Sequence, residues 1–336
     1  MNKNWRFSEL KKIGLLGLGF MGSTHSEVYK ILCAQMDICV FGVCDQKQEN
    51  ALHASRVHGA KLYRTAEEMI EDPEIDVIDI CLPTYLHFSY AKLAMEAGKD
   101  VFIEKPVVLS VEEGIKLLAL QKKNGCRVMV GQCIRLWPSY VYLKETIDSG
   151  KYGPLKSLVL KRVSPRPSWG FENWYQDRNK SGGSVLDLQI HDLDFMRYLF
   201  GEPENFYAAG TIDHAFGLFL YPDGLTVQIE GGWDFPPSFP VSMEYRANFT
   251  QAAIDFQGGT VFVYEKDGRQ FSANIDSGID CGNCFGTEVA DLAGYYKELK
   301  YFYECLLNGN EIVIASLEEG VKSIQLAYEE IAKGGF

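Results

Sequence analysis

The run Gly17-Leu-Gly-Phe-Met-Gly22 lies between an apolar, strand-like segment, residues 12–17, and a helix-like segment, residues 22–35. In a strand–turn–helix unit of this kind the first glycine permits a tight turn and the second lets the backbone approach a diphosphate. The third lets the helix pack on the strand. The N–H groups at the start of the helix then face the phosphates. Glycines also serve simple turns, but this context predicts a dinucleotide site contacted by Gly17, Gly19, Phe20, Met21 and Gly22.

Asp45 follows the next strand-like segment, residues 38–44, and stands 23 residues after Gly22. A carboxylate at this place accepts hydrogen bonds from the ribose hydroxyls of NAD and repels the 2′-phosphate of NADP. The next residues are Gln46 and Lys47, not an arginine. The sequence therefore predicts NAD as cofactor, with NADP as the alternative; a turn that binds no nucleotide is the competing interpretation.

Strand-like and helix-like segments alternate up to about residue 134. The strand-like segments are residues 12–17, 38–44, 76–82, 100–104 and 127–132, and the helix-like segments are residues 22–35, 47–58, 65–71, 86–97 and 110–124. The strands are almost continuously apolar, as a parallel sheet covered on both faces requires. Residues 1–134 are therefore predicted to form a doubly wound α/β domain of the Rossmann type.

After residue 135 the strands alternate apolar and polar residues. Strand-like segments occur at 155–163, 205–212, 216–220, 225–232, 242–249 and 260–265, and helices are predicted near 182–200, 287–307 and 316–333. We expect residues 135–336 to form a substrate-binding α+β domain with a large, open, mostly antiparallel sheet. The C-terminal helix of this domain could pack on the first domain. An open sheet face of this size predicts a homodimer or homotetramer.

Composition excludes several classes of partner. The formal net charge is −12 and the basic residues do not cluster, which argues against nucleic-acid binding. No apolar stretch reaches the 18 or so residues of a membrane span, and the N-terminal segment does not resemble a signal peptide. Nine scattered cysteines indicate a reducing, cytoplasmic environment. Cys281 and Cys284 form a single CxxC without a second ligand pair, so no metal site is expected.

Glu104-Lys105-Pro106 stands at the end of a predicted parallel strand, where such sheets bind ligands. The pKa of a lysine falls when it is desolvated or lies beside another positive charge, so Lys105 is a candidate for holding or moving a proton. The proline makes a cis Lys105–Pro106 bond accessible, which could direct the lysine inward. A solvated strand-end lysine is the competing interpretation.

Asp187 and His191 are four residues apart in the predicted helix 182–200 and so share a face, with Asp194 further along. Histidine titrates near neutrality, which suits transfer of a hydroxyl proton. An Asp–His pair on a helix surface is the alternative.

Together these features resemble one known family, the glucose–fructose oxidoreductase, inositol dehydrogenase and rhizopine-catabolism proteins (Gfo/Idh/MocA). The resemblance spans almost the whole chain and rests on five segments: GLGFMGSTH at 17–25, CLPTYLH at 81–87, IEKP at 103–106, GGSVLDLQIHDLDFMRYLFG at 182–201 and ASLEEG at 315–320. It implies a Rossmann domain followed by a mixed α/β domain whose large sheet serves subunit contacts.

The resemblance also implies roles for individual residues. The family's catalytic positions fall on Lys105, Asp187 and His191, and the segments that line the cofactor include Pro83, Thr84, His87, Glu104 and Lys105. The chain departs from the family at Thr84, where asparagine is common, and at Gln189, where glycine is usual.

Four further residues have two open interpretations. Trp169 and Trp174 either stack on an apolar sugar face or belong to the core. Arg135 and Tyr140 either reach substrate or lie at an interface. We count Trp169 and Arg135 among the predicted substrate contacts, with Lys105, Asp187 and His191.

The resulting prediction is an NAD(P)-dependent dehydrogenase of a sugar, an inositol-like polyol or a related hydroxy compound. In it His191 takes the hydroxyl proton while Lys105 holds the same oxygen. Two alternatives remain: a redox-assisted glycosidase in which NAD is reduced and reoxidised within one turnover, and a non-catalytic regulator that binds a dinucleotide or a sugar.

Overall fold

The structure, a computed structural model, describes residues 10–276, 278–279 and 289–336. The Cys281–Cys284 pair considered above lies outside the described residues. Within them, no helix combines the length and the apolar character needed to cross a bilayer.

Helices and strands alternate in the first part of the chain. In chain order the elements are β1 (Lys11–Leu16), α1 (Phe20–Leu32), β2 (Ile38–Cys44), α2 (Gln48–His58), β3 (Lys61–Leu62), α3 (Ala66–Glu71), β4 (Val77–Ile80), α4 (Thr84–Glu96), β5 (Asp100–Glu104), α5 (Val111–Asn124) and β6 (Val128–Gly131). Capping sets at least one boundary, because Thr65 Oγ1 accepts a hydrogen bond from Glu68 N (3.1 Å) at the start of α3.

The second part is richer in strands. Its elements are α6 (Pro138–Ser149), β7 (Leu155–Pro165), α7 (Arg178–Ser181), a π-helix (Val185–Gln189), α8 (Ile190–Phe200), β8 (Asn205–Thr211), β9 (His214–Leu220), β10 (Thr226–Phe235), β11 (Ser242–Phe249), β12 (Ala252–Gln257), β13 (Thr260–Glu265), β14 (Gln270–Ser272), α9 (Val289–Asn308) and α10 (Leu317–Gly334).

The chain divides into two compact units. Of the described residues, the first comprises 10–107, 112–131, 279 and 289–317, and the second comprises 108–111, 132–276, 278 and 318–336. Helix α9 thus belongs to the first unit, where it packs on α1, and most of α10 belongs to the second. The domain boundary at residues 134/135 stays a prediction.

The sheet of the first unit is parallel, with strand order β3-β2-β1-β4-β5-β6 in the described residues. This is the doubly wound order in which the connection reverses between β1 and β4, and ligands bind beyond the carboxyl ends of the strands at that reversal. Side chains of the central strands, such as Ile13, Leu15 and Ile78, are fully buried, as expected for a sheet covered on both faces. The predicted Rossmann architecture is confirmed.

The sheet of the second unit has the order β14-β13-β12-β11-β7-β10-β9-β8. Among the described strands β7 and β10 pair in parallel and the other neighbours pair antiparallel. One face is buried, with Leu158 and Leu160 at 0% exposure, and α8 packs against β7 and β10. The predicted open, mostly antiparallel sheet is confirmed.

The structure differs from the sequence-based prediction at one place that matters for the site. The predicted helix over residues 182–200 is not a regular α-helix, because Val185–Gln189 is a π-helix that precedes the α-helix Ile190–Phe200. A π-turn widens the helix locally, and such turns occur frequently at functional sites.

Candidate active site

The three glycines of the first loop have three different environments. Gly17 has φ +86°, and a Cβ on it would lie 2.7 Å from Cys81 O. A Cβ on Gly22 would lie 1.8 Å from Gly17 O, so only glycine lets α1 pack against this turn. At Gly19 the space within 4 Å is free of other described atoms. The loop is therefore closed on the protein side and open at the position where a diphosphate approaches, which fits a dinucleotide.

Asp45 is bonded to the same loop through one carboxylate oxygen and to the residue that precedes α2 through the other. Its Oδ2 accepts a hydrogen bond from Leu18 N (2.5 Å), and its Oδ1 accepts one from Lys47 N (2.6 Å). These bonds fix the carboxylate where β2 ends and beside the glycine loop. Phe20 is 61% exposed at the start of α1, and Met21 is half-buried. The cofactor contacts of these residues stay predictions; what supports them is this juxtaposition.

The Glu104-Lys105-Pro106 turn extends β5 with a cis Lys105–Pro106 peptide bond. Lys105 is half-buried, and its backbone N donates to the carboxylate of Glu104 (3.1 Å). Glu104 is 5% exposed, so its carboxylate lies in the protein interior, where it accepts the hydrogen bond of this turn.

His87 joins this turn to the start of α4. Its Nδ1 lies 2.9 Å from Pro106 O and its Nε2 lies 2.7 Å from Leu82 O. Burial lowers the pKa of His87, and the two carbonyl contacts raise it by less. Thr84, 2% exposed, and half-buried Pro83 begin the same helix. Both ring nitrogens of His87 thus face backbone carbonyls. The cofactor contacts of Pro83, Thr84 and His87 stay predictions.

Sequence reasoning assigned no role to a buried polar cluster beneath the turn. His25, fully buried on α1, places Nδ1 2.9 Å from Asp79 and Nε2 3.2 Å from Glu104. Burial alone lowers the pKa of His25, but Cys81 and Asp79 outweigh it, so the pKa lies well above its ordinary value. The Nδ1–Asp79 contact is a hydrogen bond that ties α1 to β4, whereas Nε2 lies at ion-pair distance from Glu104 without hydrogen-bond geometry. In the sequence His25 is the last residue of GLGFMGSTH, but nothing local to it indicates that it is buried against two carboxylates.

Glu298 on α9 completes this cluster. It is fully buried, and burial together with the charge of Glu104 raises its pKa well above the ordinary value. Oxygen atoms of Glu298 and Glu104 and a ring nitrogen of His25 lie within 4.8 Å of one another. Burial thus favours the neutral form of the Glu298 carboxyl group, whose two oxygens have no hydrogen-bond partner among the described residues.

Asp187 and His191 lie where the π-helix passes into α8. Asp187 is 7% exposed within the π-helix, and His191 is half-buried in the first turn of α8. The intervening Gln189 is fully buried. Lys105 belongs to the first unit and the Asp187–His191 segment to the second, and their joint action stays a prediction.

Two other acidic residues of α8 form buried ion pairs. Asp194 accepts hydrogen bonds from Arg135 Nε (2.6 Å) and Nη2 (2.8 Å). Asp192 accepts hydrogen bonds from Arg162 Nε (2.8 Å) and Nη2 (3.2 Å). Both arginines are therefore bound bidentately, and they anchor α8 on its buried side.

The four residues with open interpretations differ in exposure. Arg135 is 2% exposed and Tyr140 is fully buried, where it packs edge-on against Phe195. Trp174 is 7% exposed and stacks on Tyr175, whereas Trp169 is 59% exposed. Burial favours core roles for Trp174 and Tyr140. The substrate contacts assigned to Arg135 and Trp169 stay predictions.

Models of protein families match both parts of the chain. Residues 11–132 match "Oxidoreductase family, NAD-binding Rossmann fold", and residues 140–255 match "GFO/IDH/MocA C-terminal domain". The first match confirms the expected NAD-binding domain.

Individual proteins agree with these matches. The chain is 30% identical over 324 residues to inositol 2-dehydrogenase of Rhizobium meliloti strain 1021, which covers 94% of each protein. It is 30% identical over 203 residues to myo-inositol 2-dehydrogenase of Thermotoga maritima, covering 60% of this chain and 58% of the relative. Another curated match spans 53% of its relative, so the chain covers little more than half of some relatives.

Among solved structures, levoglucosan dehydrogenase in complex with NADH and levoglucosan superposes with a TM-score of 0.84. The two chains are 20% identical, and the match covers 97% of each. At this identity the likeness establishes a shared fold.

Proposed function

Because the chain belongs to the Gfo/Idh/MocA oxidoreductase family, we propose that it is an NAD-dependent dehydrogenase that oxidises a secondary hydroxyl group of a sugar or an inositol. The observation that carries the proposal is the glycine loop, closed at Gly17 and Gly22, open at Gly19, and bonded to the Asp45 carboxylate. The matched inositol dehydrogenases support the substrate class.

The residues predicted to hold the cofactor fit NAD by their chemistry. The N–H groups at the start of α1 would face the diphosphate, and Asp45 would accept hydrogen bonds from the ribose hydroxyls. Its negative charge disfavours the additional phosphate of NADP. When bound, NAD supplies the acceptor for the hydride that leaves the alcohol carbon.

The chain's own residues handle the other product of the oxidation, the hydroxyl proton. In this proposal His191 accepts that proton as the C–H bond breaks with its electron pair and the C=O bond forms. The Lys105 ammonium donates a hydrogen bond to the same oxygen and stabilises the charge that develops on it. Asp187 orients the neighbouring substrate hydroxyl groups or the Lys105 ammonium.

A substrate panel tests the proposal. Inositols, hexoses, sugar acids and their keto forms are incubated with NAD⁺ or NADP⁺, and nicotinamide absorbance is recorded. We expect at least one polyol or sugar to give NADH, and we expect Lys105→Ala and His191→Ala to lower kcat by about 10²–10⁴-fold. Lys122→Ala and His53→Ala, at exposed helix positions, are the matched controls.

Three outcomes would contradict the proposal. Wild-type turnover in both Lys105→Ala and His191→Ala would remove their assigned roles. Cleavage of a glycoside without net NADH would identify the redox-assisted glycosidase. Thermal stabilisation by a dinucleotide or a sugar, with turnover of none of the compounds, would favour the regulator.

We also propose that two copies of the chain associate through the outer face of the large sheet. A row of neighbouring positions crosses this face through paired residues of seven strands: Tyr207, Leu218, Gln228, Val159, Arg246, Asp255 and Phe262. Tyr207 is 59% and Leu218 39% exposed, and exposed apolar area of this kind is typical of interfaces.

Light scattering after size exclusion tests this association. We expect a dimer or tetramer for the wild type and a smaller species for Leu218→Glu, because a charge would be buried in the interface. Ile115→Glu, at an apolar position 58% exposed on α5, is the matched control. A monomeric wild type would refute the proposed interface.

A further inference from the structure

A buried side-chain pair links the π-helix to the C-terminal helix. Gln189 and Glu330 are both 0% exposed, and Gln189 Nε2 donates a hydrogen bond to Glu330 Oε1 (3.1 Å). The two residues are 141 positions apart in the chain. Gln189 is the last residue of the π-helix and stands two positions before His191.

Two glycines of the sheet create the space for this pair. A Cβ on Gly231 would lie 2.4 Å from Gln189 Cβ, and a Cβ on Gly217 would lie 2.6 Å from Glu330 Oε1. These glycines are on adjacent strands, β10 and β9, where Gly231 pairs with Ala215 and Ile229 pairs with Gly217. They therefore lie diagonally on the same buried face. The absence of side chains at Gly217 and Gly231 leaves the space on this face of the sheet that the Gln189–Glu330 pair occupies.

The Gln189–Glu330 pair satisfies its buried oxygen atoms only when the Glu330 carboxyl group carries a proton. Gln189 Oε1 and Glu330 Oε2 are both buried, and neither has a hydrogen-bond partner among the described residues. Both atoms are acceptors when Glu330 is ionised, whereas a protonated carboxyl group offers the missing donor. A buried acceptor without a donor is unfavourable. Burial raises the pKa of Glu330 to about 7, and the hydrogen bond from Gln189 lowers it by less.

The surroundings of Glu330 contribute no compensating charge among the described residues. Gln189 faces it from the π-helix and Gly217 from β9. On α10 itself Glu329 is exposed and bonded to Gln325, and Lys333 donates a hydrogen bond to Asn205. The pKa of Glu330 is therefore determined by burial and by the hydrogen bond from the Gln189 amide.

We propose that the Gln189–Glu330 pair positions the segment Val185–His191, which carries Asp187 and His191, and that it does so while Glu330 is protonated. The catalytic consequence rests on the proposed function. Gln189 and Glu330 are positioning residues, since they act through the helix that presents His191.

Hydrogen exchange of residues 185–191 tests the positioning without any substrate. An acid with a pKa of 4.5 when exposed and about 7 when buried raises the opening constant of the segment about tenfold between about pH 6 and about pH 8.5. We expect this rise, after correction for the intrinsic pH dependence of exchange, in the wild type and in Glu329→Gln, the exposed neighbour on the same helix. Glu330→Gln, whose amide replaces the protonated acid, is expected to show no rise.

The pH profile of kcat tests the catalytic consequence. We expect kcat of the wild type to fall above about pH 7 with a single ionisation, and the corresponding fall to be absent in Glu330→Gln. Exchange of the wild-type segment that does not change with pH would overturn the proposal, even if Glu330→Gln does not fold. If exchange in Glu330→Gln does not change with pH but its pH profile of kcat is the same as that of the wild type, the pair has a structural role only. Absence of turnover with every sugar and inositol would refute the proposed function and leave the exchange result to decide on the pair.

Discussion

Replacing Arg135 by methionine separates a structural role of this residue from contact with substrate. The Arg135 side chain is 1% exposed, and two of its nitrogens lie 2.6 and 2.8 Å from the oxygens of Asp194, which is fully buried. Its guanidinium lies over the ring of Tyr198, 4.7 Å from the centroid. Arg135→Met keeps most of the side-chain volume and leaves the Asp194 carboxylate buried without its cation. Breaking a buried ion pair in this way costs about 3–5 kcal/mol of the free energy of unfolding.

Urea unfolding followed by tryptophan fluorescence measures this cost. The double variant Arg135→Met/Asp194→Leu removes both charges, and we expect it to regain at least half of the lost stability, because no unpaired charge remains. Arg269→Met, at an arginine 72% exposed that pairs with Asp267, is the control and is expected to leave the unfolding midpoint unchanged. An unchanged midpoint for Arg135→Met together with a lost kcat/KM would refute the structural reasoning and establish Arg135 as a substrate contact.

Four further substitutions, all in the first unit, have expected outcomes. Gly22→Ala is expected to destabilise the protein by about 1–3 kcal/mol or more and to weaken NAD binding, because its Cβ meets Gly17 O at 1.8 Å. Gly19→Ala is expected to weaken NAD binding while leaving the free energy of unfolding nearly unchanged. Calorimetric titration with NAD and urea unfolding measure the two quantities for both glycine variants. Equal losses of stability in Gly22→Ala and Gly19→Ala would contradict the argument. Glu298→Gln is expected to change stability by less than about 1 kcal/mol near neutral pH, because the raised pKa keeps this carboxyl group protonated already; a much larger loss in thermal unfolding would show that it is ionised. Asp45→Ser is expected to raise KM for NAD and lower KM for NADP, and equal effects on both KM values would remove the role of Asp45 in cofactor choice.

The sequence predicted the first unit well because its signals are local. Predicted and observed strands agree within one residue at 38–44, 100–104 and 128–131, since continuous apolar runs bounded by turns mark buried strands. The edge strands β3 and β14 and the interior strand β12 were missed. β3 has two residues and β14 three, and runs this short carry too little periodicity to detect.

The glycine loop and Asp45 could be found for the same reason. The three glycines occur within six residues of sequence, between a strand-like and a helix-like segment, and Asp45 directly follows the next strand-like segment. His25, Asp79 and Glu298 could not be found, because their pairing arises between α1, β4 and α9, segments far apart in the chain. No local pattern distinguishes a buried histidine that lies against two carboxylates from one that packs among apolar side chains.

The amino-acid sequence by itself determined the Rossmann unit, the open sheet and the family's candidate residues, because periodicity, glycine spacing and strand ends act over a few residues. Tertiary structure alone decided that α8 is anchored through Arg135 and Arg162, that a π-helix precedes it, and that Gln189 meets Glu330 beside two glycines. These features depend on burial, which sets the strength of an ion pair and the pKa of an acid. Burial is a property of the packed chain as a whole.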